Sequence, residues 1–105
     1  LIDGARMIAE ALASGKTVLV HCSDGWDRTP QLTTLAAILA DGEYREDDRL
    51  LDLVSREWIA MGHRFATRCG HFRPPGTDER PGDGDLDETS ATFAQFLDCV
   101  RQLKE

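Results

Sequence analysis

At 105 residues, the chain is long enough for one compact domain and too short for two. A formal net charge of −7 excludes the basic surface that broad nucleic-acid binding requires, and it disfavours nonspecific adhesion to anionic membranes. Three widely spaced cysteines do not resemble a disulfide framework, so they favour a reducing, cytosolic setting.

Apolar periodicity predicts a helix, a strand and a second helix in the first 42 residues. Over residues 3–14, apolar side chains recur with the spacing of an amphipathic helix. The β-branched, apolar run "TVLVHC" at 17–22 is typical of a strand covered on both faces, as in an α/β sheet. A second helix is predicted from Thr29 as its N-cap, with Pro30 in the first turn, to Gly42.

Two more helices are predicted on either side of a long loop. The third helix covers about 47–61, and the last covers 90–104 with Ser90 as its N-cap. Residues 70–90 are rich in Gly, Pro and Asp and lack periodicity, which indicates a loop within one domain. The apolar face of the third helix is Leu50 or Leu51, Val54, Trp58 and Met61; that of the last is Phe93, Phe96, Leu97 and Val100.

The segment "CSDGWDR" lies between the predicted strand and the second helix. A loop that enters a helix N-terminus presents unpaired N–H groups and positive potential, which together bind an oxyanion. The same field and the guanidinium of Arg28 favour the thiolate of Cys22, so the thiol is predicted to be a nucleophile. Arg28 can donate two parallel hydrogen bonds to a phosphate, and Gly25 lets the loop turn with its N–H groups inward.

Phosphoryl transfer also needs a proton donor for the leaving oxygen. Both Asp24 and Asp27 are candidates for this general acid. The hydroxyl of Thr29 is placed to hydrogen-bond the sulfur of Cys22 and to help it leave when water attacks a phosphocysteine. His21 is interpreted as a residue that supports the loop, and zinc binding by His63, Cys69, His71 and Cys22 is disfavoured because their spacing fits no common site.

The string "HCSDGWDRT" fits the Cys-x5-Arg signature of the protein-tyrosine-phosphatase superfamily, and in full it resembles the loop of the myotubularin phosphoinositide phosphatases. The segments "EWIAMGHRFATRCGH" (57–71) and "FAQFLDCV" (93–100) also resemble myotubularin segments, in the same order. Pro30 stands where the family commonly has alanine, and 72–89 departs from the family as a loop insertion. The resemblance implies an α/β, protein-tyrosine-phosphatase-like fold, here a mostly helical partial domain over 1–105 with one or few central strands.

The resemblance also implies a role for each matching residue. Cys22 is the expected nucleophile, Arg28 the phosphate clamp and Asp27 the general acid. Arg64 and Arg68 are expected to face the inositol head group and contact a second phosphate. The expected phosphate cradle consists of Ser23, Asp24, Gly25 and Trp26, next to Thr29. No metal or other cofactor is expected.

The implied function is hydrolysis of the 3-phosphate of phosphatidylinositol 3-phosphate and 3,5-bisphosphate through a phosphocysteine intermediate. The expected partner is a phosphoinositide at a membrane surface, with oligomerisation through regions outside this chain. The expected location is cytoplasmic and peripheral to endosomal membranes. Two alternatives stay open: a protein-tyrosine or dual-specificity phosphatase, and an inactive phosphoinositide-binding scaffold. Because the chain begins at Leu1, we expect it to be part of a longer protein.

Overall fold

The computed structural model describes residues 1–70 and 88–105, and the regular elements within these ranges are all helical. No helix in the two described ranges is both long enough and apolar enough to cross a bilayer. The predicted insertion at 72–89 lies outside the described residues up to residue 87. In chain order the elements are α1 (Ile2–Ala13), α2 (Arg28–Ala40), a 3-10 turn (Gly42–Arg45), α3 (Asp47–Val54), a π-helical turn (Ser55–Ile59), α4 (Phe65–Arg68) and α5 (Thr92–Lys104).

The predicted strand at 17–22 is not formed among the described residues. This segment connects α1 to the loop before α2 without regular secondary structure. A strand exists only when its backbone groups pair with a neighbouring strand, and the described residues provide no such neighbour. The side chain of Leu19 is accordingly 85% exposed, although the sequence pattern is that of a buried strand. The prediction of a strand here is wrong for the chain as it stands.

The helix positions follow the predicted ones, but the predicted N-caps are wrong. Helix α2 starts at Arg28 with Asp27 as N-cap, so Thr29 lies inside the first turn and its hydroxyl is available for another contact. Helix α5 starts at Thr92 with Ala91 as N-cap, one residue after the predicted Ser90. Neither of these two helices has a side-chain hydrogen bond at its N-cap.

The third predicted helix is divided, and this changes its buried face. The π-helical turn at Ser55–Ile59 follows α3 directly and places an extra residue in the turn, which alters the helical phase. Trp58 is fully buried, as predicted, and Leu53 is buried beside it. Of the alternatives Leu50 and Leu51, Leu50 packs half-buried against the core and Leu51 is 65% exposed. Met61, which the simple 3.6-residue period placed on the apolar face, is 64% exposed.

The core lies where α1, α5 and the π-helical turn pack against α2. At Gly4, an added Cβ would approach Leu32 of α2 to 3.0 Å, so the small residue permits the close contact of α1 with α2. Two buried polar side chains of α2 are also paired. Gln31 donates to the carbonyl oxygen of Thr92 at the start of α5, and Thr34 accepts a hydrogen bond from the indole of Trp58 at 3.1 Å. These contacts fix the start of α2, where the candidate site lies.

Candidate active site

The loop Cys22–Asp27 leads directly into the N-terminus of α2. At Gly25 the backbone has a φ of +83°, a left-handed conformation that glycine adopts without strain. An added Cβ would meet no atom within 4 Å there, so the need for glycine is conformational rather than a matter of space. The turn at Gly25 returns the chain toward the sulfur of Cys22, because the N–H of Gly25 donates to that sulfur at 3.3 Å.

The sulfur of Cys22 is surrounded by hydrogen-bond donors. The hydroxyl of Thr29 donates to it at 3.1 Å, and this bond is the largest cause that lowers the pKa of Cys22 from 9.0 to about 6. Partial burial opposes the shift, while the N–H groups of Gly25, Thr29 and Asp24 add to it. The pKa of Cys22 is thus lowered, as predicted, but the causes are hydrogen-bond donors and do not include the guanidinium of Arg28, which was predicted to contribute. The thiolate that this shift favours is the nucleophilic form of cysteine.

Arg28 is the first residue of α2, and its guanidinium contacts the loop at Ser23. Its Nη2 donates to the hydroxyl of Ser23 at 3.3 Å, and the side chain is exposed. The N–H of Thr29 at the start of α2 is directed at the Cys22 sulfur, and Arg28 adds a positive charge at the neighbouring residue, Ser23. This combination of a guanidinium and a helix N-terminus suits a tetrahedral oxyanion such as a phosphate.

Asp27 is held by Arg68 of α4. The guanidinium of Arg68 donates to both carboxylate oxygens, with Nη2 2.7 Å from Oδ2 and Nε 3.2 Å from Oδ1. Its Nη1 contacts Glu88, at 2.8 Å from the carbonyl oxygen and 3.2 Å from the carboxylate. The Asp27 hydrogen bond is the first cause that raises the pKa of Arg68. Arg68 thus links the loop to the chain before α5, whereas its predicted role was to contact a second phosphate of the substrate.

Arg64 contacts the loop at Trp26. Its guanidinium carbon is 4.4 Å from the centroid of the Trp26 ring, which is the geometry of a cation–π interaction. Arg64 remains exposed while the indole nitrogen of Trp26 is buried without a hydrogen-bond partner among the described residues. The pair therefore places a solvent-accessible positive charge next to the loop, and the contact of Arg64 with an inositol head group stays a prediction.

The sequence pattern relates His63 only to a disfavoured zinc site, whereas in the structure His63 contacts the loop. Its Nδ1 lies 2.6 Å from the carbonyl oxygen of Trp26 and 3.2 Å from a carboxylate oxygen of Asp27. No three-residue cluster suited to a metal occurs in the described ranges, and His71 of the zinc alternative lies outside them. A lone histidine 37 positions from its partner has no local sequence signal, so only the folded chain shows this contact.

The predicted site residues thus occupy one neighbourhood of the structure. The loop and the first turn of α2 contribute eight of them, and α4 with its N-cap contributes the two arginines. His21, directly before the loop, and Asp24, within it, are both exposed. The members from the loop and first turn are Cys22, Ser23, Asp24, Gly25, Trp26, Asp27, Arg28 and Thr29; the others are Arg64 and Arg68.

One family model and several known proteins are similar to this chain over nearly all of its length. A family model described as "Myotubularin-like phosphatase domain" matches residues 1–105. The chain is 47% identical over 106 residues to phosphatidylinositol-3,5-bisphosphate 3-phosphatase MTMR8 of Homo sapiens, an alignment that covers 100% of the chain and 14% of that protein. It is 49% identical over 104 residues to myotubularin of Rattus norvegicus, with 98% of the chain and 16% of that protein covered.

A third relative is phosphatidylinositol-3,5-bisphosphate 3-phosphatase MTMR2 of Pongo abelii. The chain is 48% identical to it over 104 residues, with 98% of the chain and 15% of that protein covered. The chain therefore spans between 14% and 16% of the length of these relatives. The similarity extends over nearly all of this chain, so it includes both the loop at Cys22 and the segment that contains Arg64 and Arg68.

Proposed function

Because this chain belongs to the myotubularin-like phosphatase family, we propose that the protein that contains it hydrolyses the 3-phosphate of phosphoinositides. The proposed substrates are phosphatidylinositol 3-phosphate and phosphatidylinositol 3,5-bisphosphate. Relatives named as phosphatidylinositol-3,5-bisphosphate 3-phosphatases support this class of substrate. The observation that carries the proposal is the Cys22 sulfur, which accepts hydrogen bonds from Thr29 and Gly25, while the guanidinium of Arg28 donates to the adjacent Ser23.

In the proposed first step, the Cys22 thiolate attacks the phosphorus of the 3-phosphate. An S–P bond forms, the bond from phosphorus to the inositol oxygen breaks, and the electron pair leaves on that oxygen. Arg28 and the N–H groups of the loop stabilise the phosphoryl oxygens as their charge shifts. The inositol oxygen takes a proton from a general acid, for which we propose Asp27, next to Arg28 at the start of α2.

In the proposed second step, water attacks the phosphorus of the phosphocysteine. A proton of this water passes to the Asp27 carboxylate, the P–S bond breaks, and inorganic phosphate leaves. The electron pair returns to sulfur, where the hydroxyl of Thr29 and the N–H of Gly25 stabilise the thiolate that departs. The same hydrogen bonds that lower the pKa of Cys22 therefore make its sulfur both a ready nucleophile and a good leaving group.

In this scheme Asp27 must hold a proton in the first step and accept one in the second. Both of its carboxylate oxygens accept hydrogen bonds from Arg68, which orients the group for accepting a proton from water. As an acid in the first step, Asp27 must carry its proton in competition with one of these bonds. Asp24, which is exposed in the same loop, is the second candidate for the acid. Asp27→Asn and Asp24→Asn variants distinguish the two, since the acid variant loses turnover of substrates whose leaving oxygen needs a proton.

For the complete domain, we propose an α/β, protein-tyrosine-phosphatase-like architecture. Residues 17–22 have the β-branched, apolar composition of a strand, and exposed Leu19 is available to be covered. Segments outside this chain would pair with it, since the curated relatives are much longer. We also propose cytoplasmic placement at endosomal membranes, with oligomerisation through those segments. Fluorescence microscopy and the mass of the full-length protein in solution test these two proposals.

The proposed activity is tested by phosphate release from short-chain phosphatidylinositol 3-phosphate by the full-length protein. We expect turnover by the wild type, none by Cys22→Ser, and wild-type turnover by Cys69→Ser, a matched control at an exposed cysteine. Retained turnover in Cys22→Ser would contradict the mechanism. Preference for phosphotyrosine peptides over the lipid would favour the protein-phosphatase alternative, and lipid binding without turnover would favour the scaffold.

A further inference from the structure

The peptide that joins Trp26 to Asp27 is contacted by the buried His63. The side chain of His63 is 1% exposed, and its Nδ1 lies 2.6 Å from the Trp26 carbonyl oxygen and 3.2 Å from Oδ1 of Asp27. Both oxygens are acceptors, so Nδ1 must carry a hydrogen that it donates to them. The tautomer of His63 is therefore fixed by the two groups that it faces.

Aromatic rings and backbone hold the His63 imidazole in place. The rings of Trp58 and Phe65 meet it edge to face, with centroids 4.8 Å and 4.6 Å away. The N–H of His63 donates to the carbonyl of Trp58 at 2.9 Å, directly after a turn at Gly62. Its Nε2 is buried and has no hydrogen-bond partner among the described residues. The imidazole ring of His63 thus contacts the loop through its Nδ1–H.

Holding the Trp26 carbonyl also determines where the next N–H points. In a planar trans peptide, the carbonyl oxygen and the following N–H point in opposite directions. Because the oxygen is directed at His63, the N–H of Asp27 is directed away from it. Gly25, directly before Trp26, can adopt many backbone conformations. The hydrogen bond from His63 to the Trp26 carbonyl therefore restricts the loop directly after its most flexible residue.

The charged groups around His63 come from two elements. Asp27 precedes α2 and contacts Nδ1, while Arg68 of α4 binds the same carboxylate from its other side. The π-helical turn and α5 contribute the aromatic rings of Trp58 and Phe93, with the Phe93 centroid 6.5 Å from the imidazole. His63 and Arg68 therefore fix Asp27 together, and of these two side chains His63 is the one that also holds a backbone carbonyl of the loop.

We propose that His63 is a positioning residue for the candidate active site. Its Nδ1–H fixes the Trp26–Asp27 peptide and one oxygen of Asp27. The loop is thereby held in the conformation in which Cys22 and Arg28 can contact the same phosphate. The part of this inference that concerns turnover rests on the proposed function. The part that concerns loop geometry does not, because the reactivity of Cys22 reports it without any lipid. His63 acts through Asp27 and the loop backbone, and no hydrogen bond joins it to the Cys22 sulfur among the described residues.

The test compares His63→Asn with His63→Gln in the full-length protein. The amide nitrogen of asparagine takes the place of Nδ1 and can donate to the Trp26 carbonyl, whereas that of glutamine takes the place of Nε2. His63→Phe adds a variant that keeps the edge-to-face packing and loses the donor. Thermal unfolding of each variant monitors folding. The readouts are kcat and KM on phosphatidylinositol 3-phosphate, and the pH midpoint of Cys22 alkylation by iodoacetamide.

We expect His63→Gln and His63→Phe to lose about 10²-fold in kcat, as for a misplacement of reacting groups by about 1 Å, with KM nearly unchanged. Their alkylation midpoint should rise above that of the wild type. His63→Asn should restore most of kcat and the wild-type midpoint. Equal behaviour of His63→Asn and His63→Gln in both readouts would overturn the proposal, whether both are active or both are impaired.

The alkylation readout separates this inference from the proposed function. If the wild type does not turn over phosphoinositides, the proposed function fails, while a midpoint that rises in His63→Gln and not in His63→Asn still supports the positioning role. If the wild type is active and the two variants do not differ, the positioning role fails and the function stands. Should His63→Phe not fold, the Asn and Gln pair decides the matter.

Discussion

Replacement of Thr29 by valine tests the cause of the reactivity of Cys22. Valine keeps the shape of threonine but removes the hydroxyl that donates to the sulfur at 3.1 Å. That hydrogen bond is the largest cause that lowers the pKa of Cys22 to about 6. A hydrogen bond to a charged group contributes about 1.5–3 kcal/mol, which corresponds to a pKa change of about one to two units. The variant should therefore show a Cys22 pKa of about 7 to 8.

The rate of alkylation of Cys22 measures this change, because only the thiolate reacts. At pH 6 the ionised fraction should fall from about one half to between about 10% and 1%, so the rate should fall about 5-fold to 50-fold. The rate constant is obtained by mass spectrometry of the Cys22 peptide after timed treatment with iodoacetamide across a pH series. Thr29→Ser keeps the hydroxyl and should retain the wild-type midpoint.

Thr33→Val is the matched control, one turn further along α2. Its hydroxyl donates to the carbonyl of Thr29 at 3.1 Å and the structure records no bond from it to the sulfur, so the midpoint for Cys22 should not move. A wild-type midpoint in Thr29→Val would refute the reasoning, because the other donors would then suffice. An equal rise in Thr33→Val would also refute it, since the cause would lie in the helix and not in the hydroxyl.

Three further outcomes are expected. The pKa of Cys22 is lowered from 9.0 to about 6, so between pH 6 and pH 9 the unfolded chain binds more protons at this thiol than the folded chain. The free energy of unfolding, measured by chemical denaturation, should therefore rise from pH 6 to pH 9. In Cys22→Ser this rise should disappear. Arg68→Met should lower kcat by about 10-fold to 100-fold, because it removes the hydrogen bonds that orient the Asp27 carboxylate. The control Arg101→Met, at an exposed ion pair on α5, should leave kcat and KM unchanged. Thr34→Val removes the acceptor of the buried Trp58 indole and should cost about 1–3 kcal/mol in unfolding free energy, with wild-type kinetics for the folded enzyme; an unchanged denaturation midpoint would contradict the burial argument.

The sequence predicted those features that depend on residues close together in the chain. Apolar periodicity located α1, α2 and α5, because each helix has one face that must be buried. The spacing from Cys22 to Arg28 predicted the loop, because a helix N-terminus follows it directly. The predicted hydrogen bond from the hydroxyl of Thr29 to the Cys22 sulfur is confirmed, whereas the prediction of Thr29 as N-cap is wrong because Asp27 takes that position.

What the sequence could not predict depends on partners that are distant in the chain. A strand at 17–22 requires neighbouring strands that the described residues do not contain. The π-helical turn changes the helical phase before Met61, and a period of 3.6 residues cannot represent that change. The bonds of Arg68 and His63 to the loop span 41 and 37 positions, so no local pattern indicates them.

The central claim is that Cys22 forms a covalent phosphoryl intermediate during 3-phosphate hydrolysis. The most direct measurement is a rapid denaturing quench of the full-length protein during turnover of phosphatidylinositol 3-phosphate labelled in its 3-phosphate. Mass spectrometry and label counting then locate the phosphoryl group. We predict the label on the Cys22 peptide within the first turnover, and none in Cys22→Ser. Turnover of the lipid with no label on Cys22 at any quench time, or label on another residue, would contradict the account.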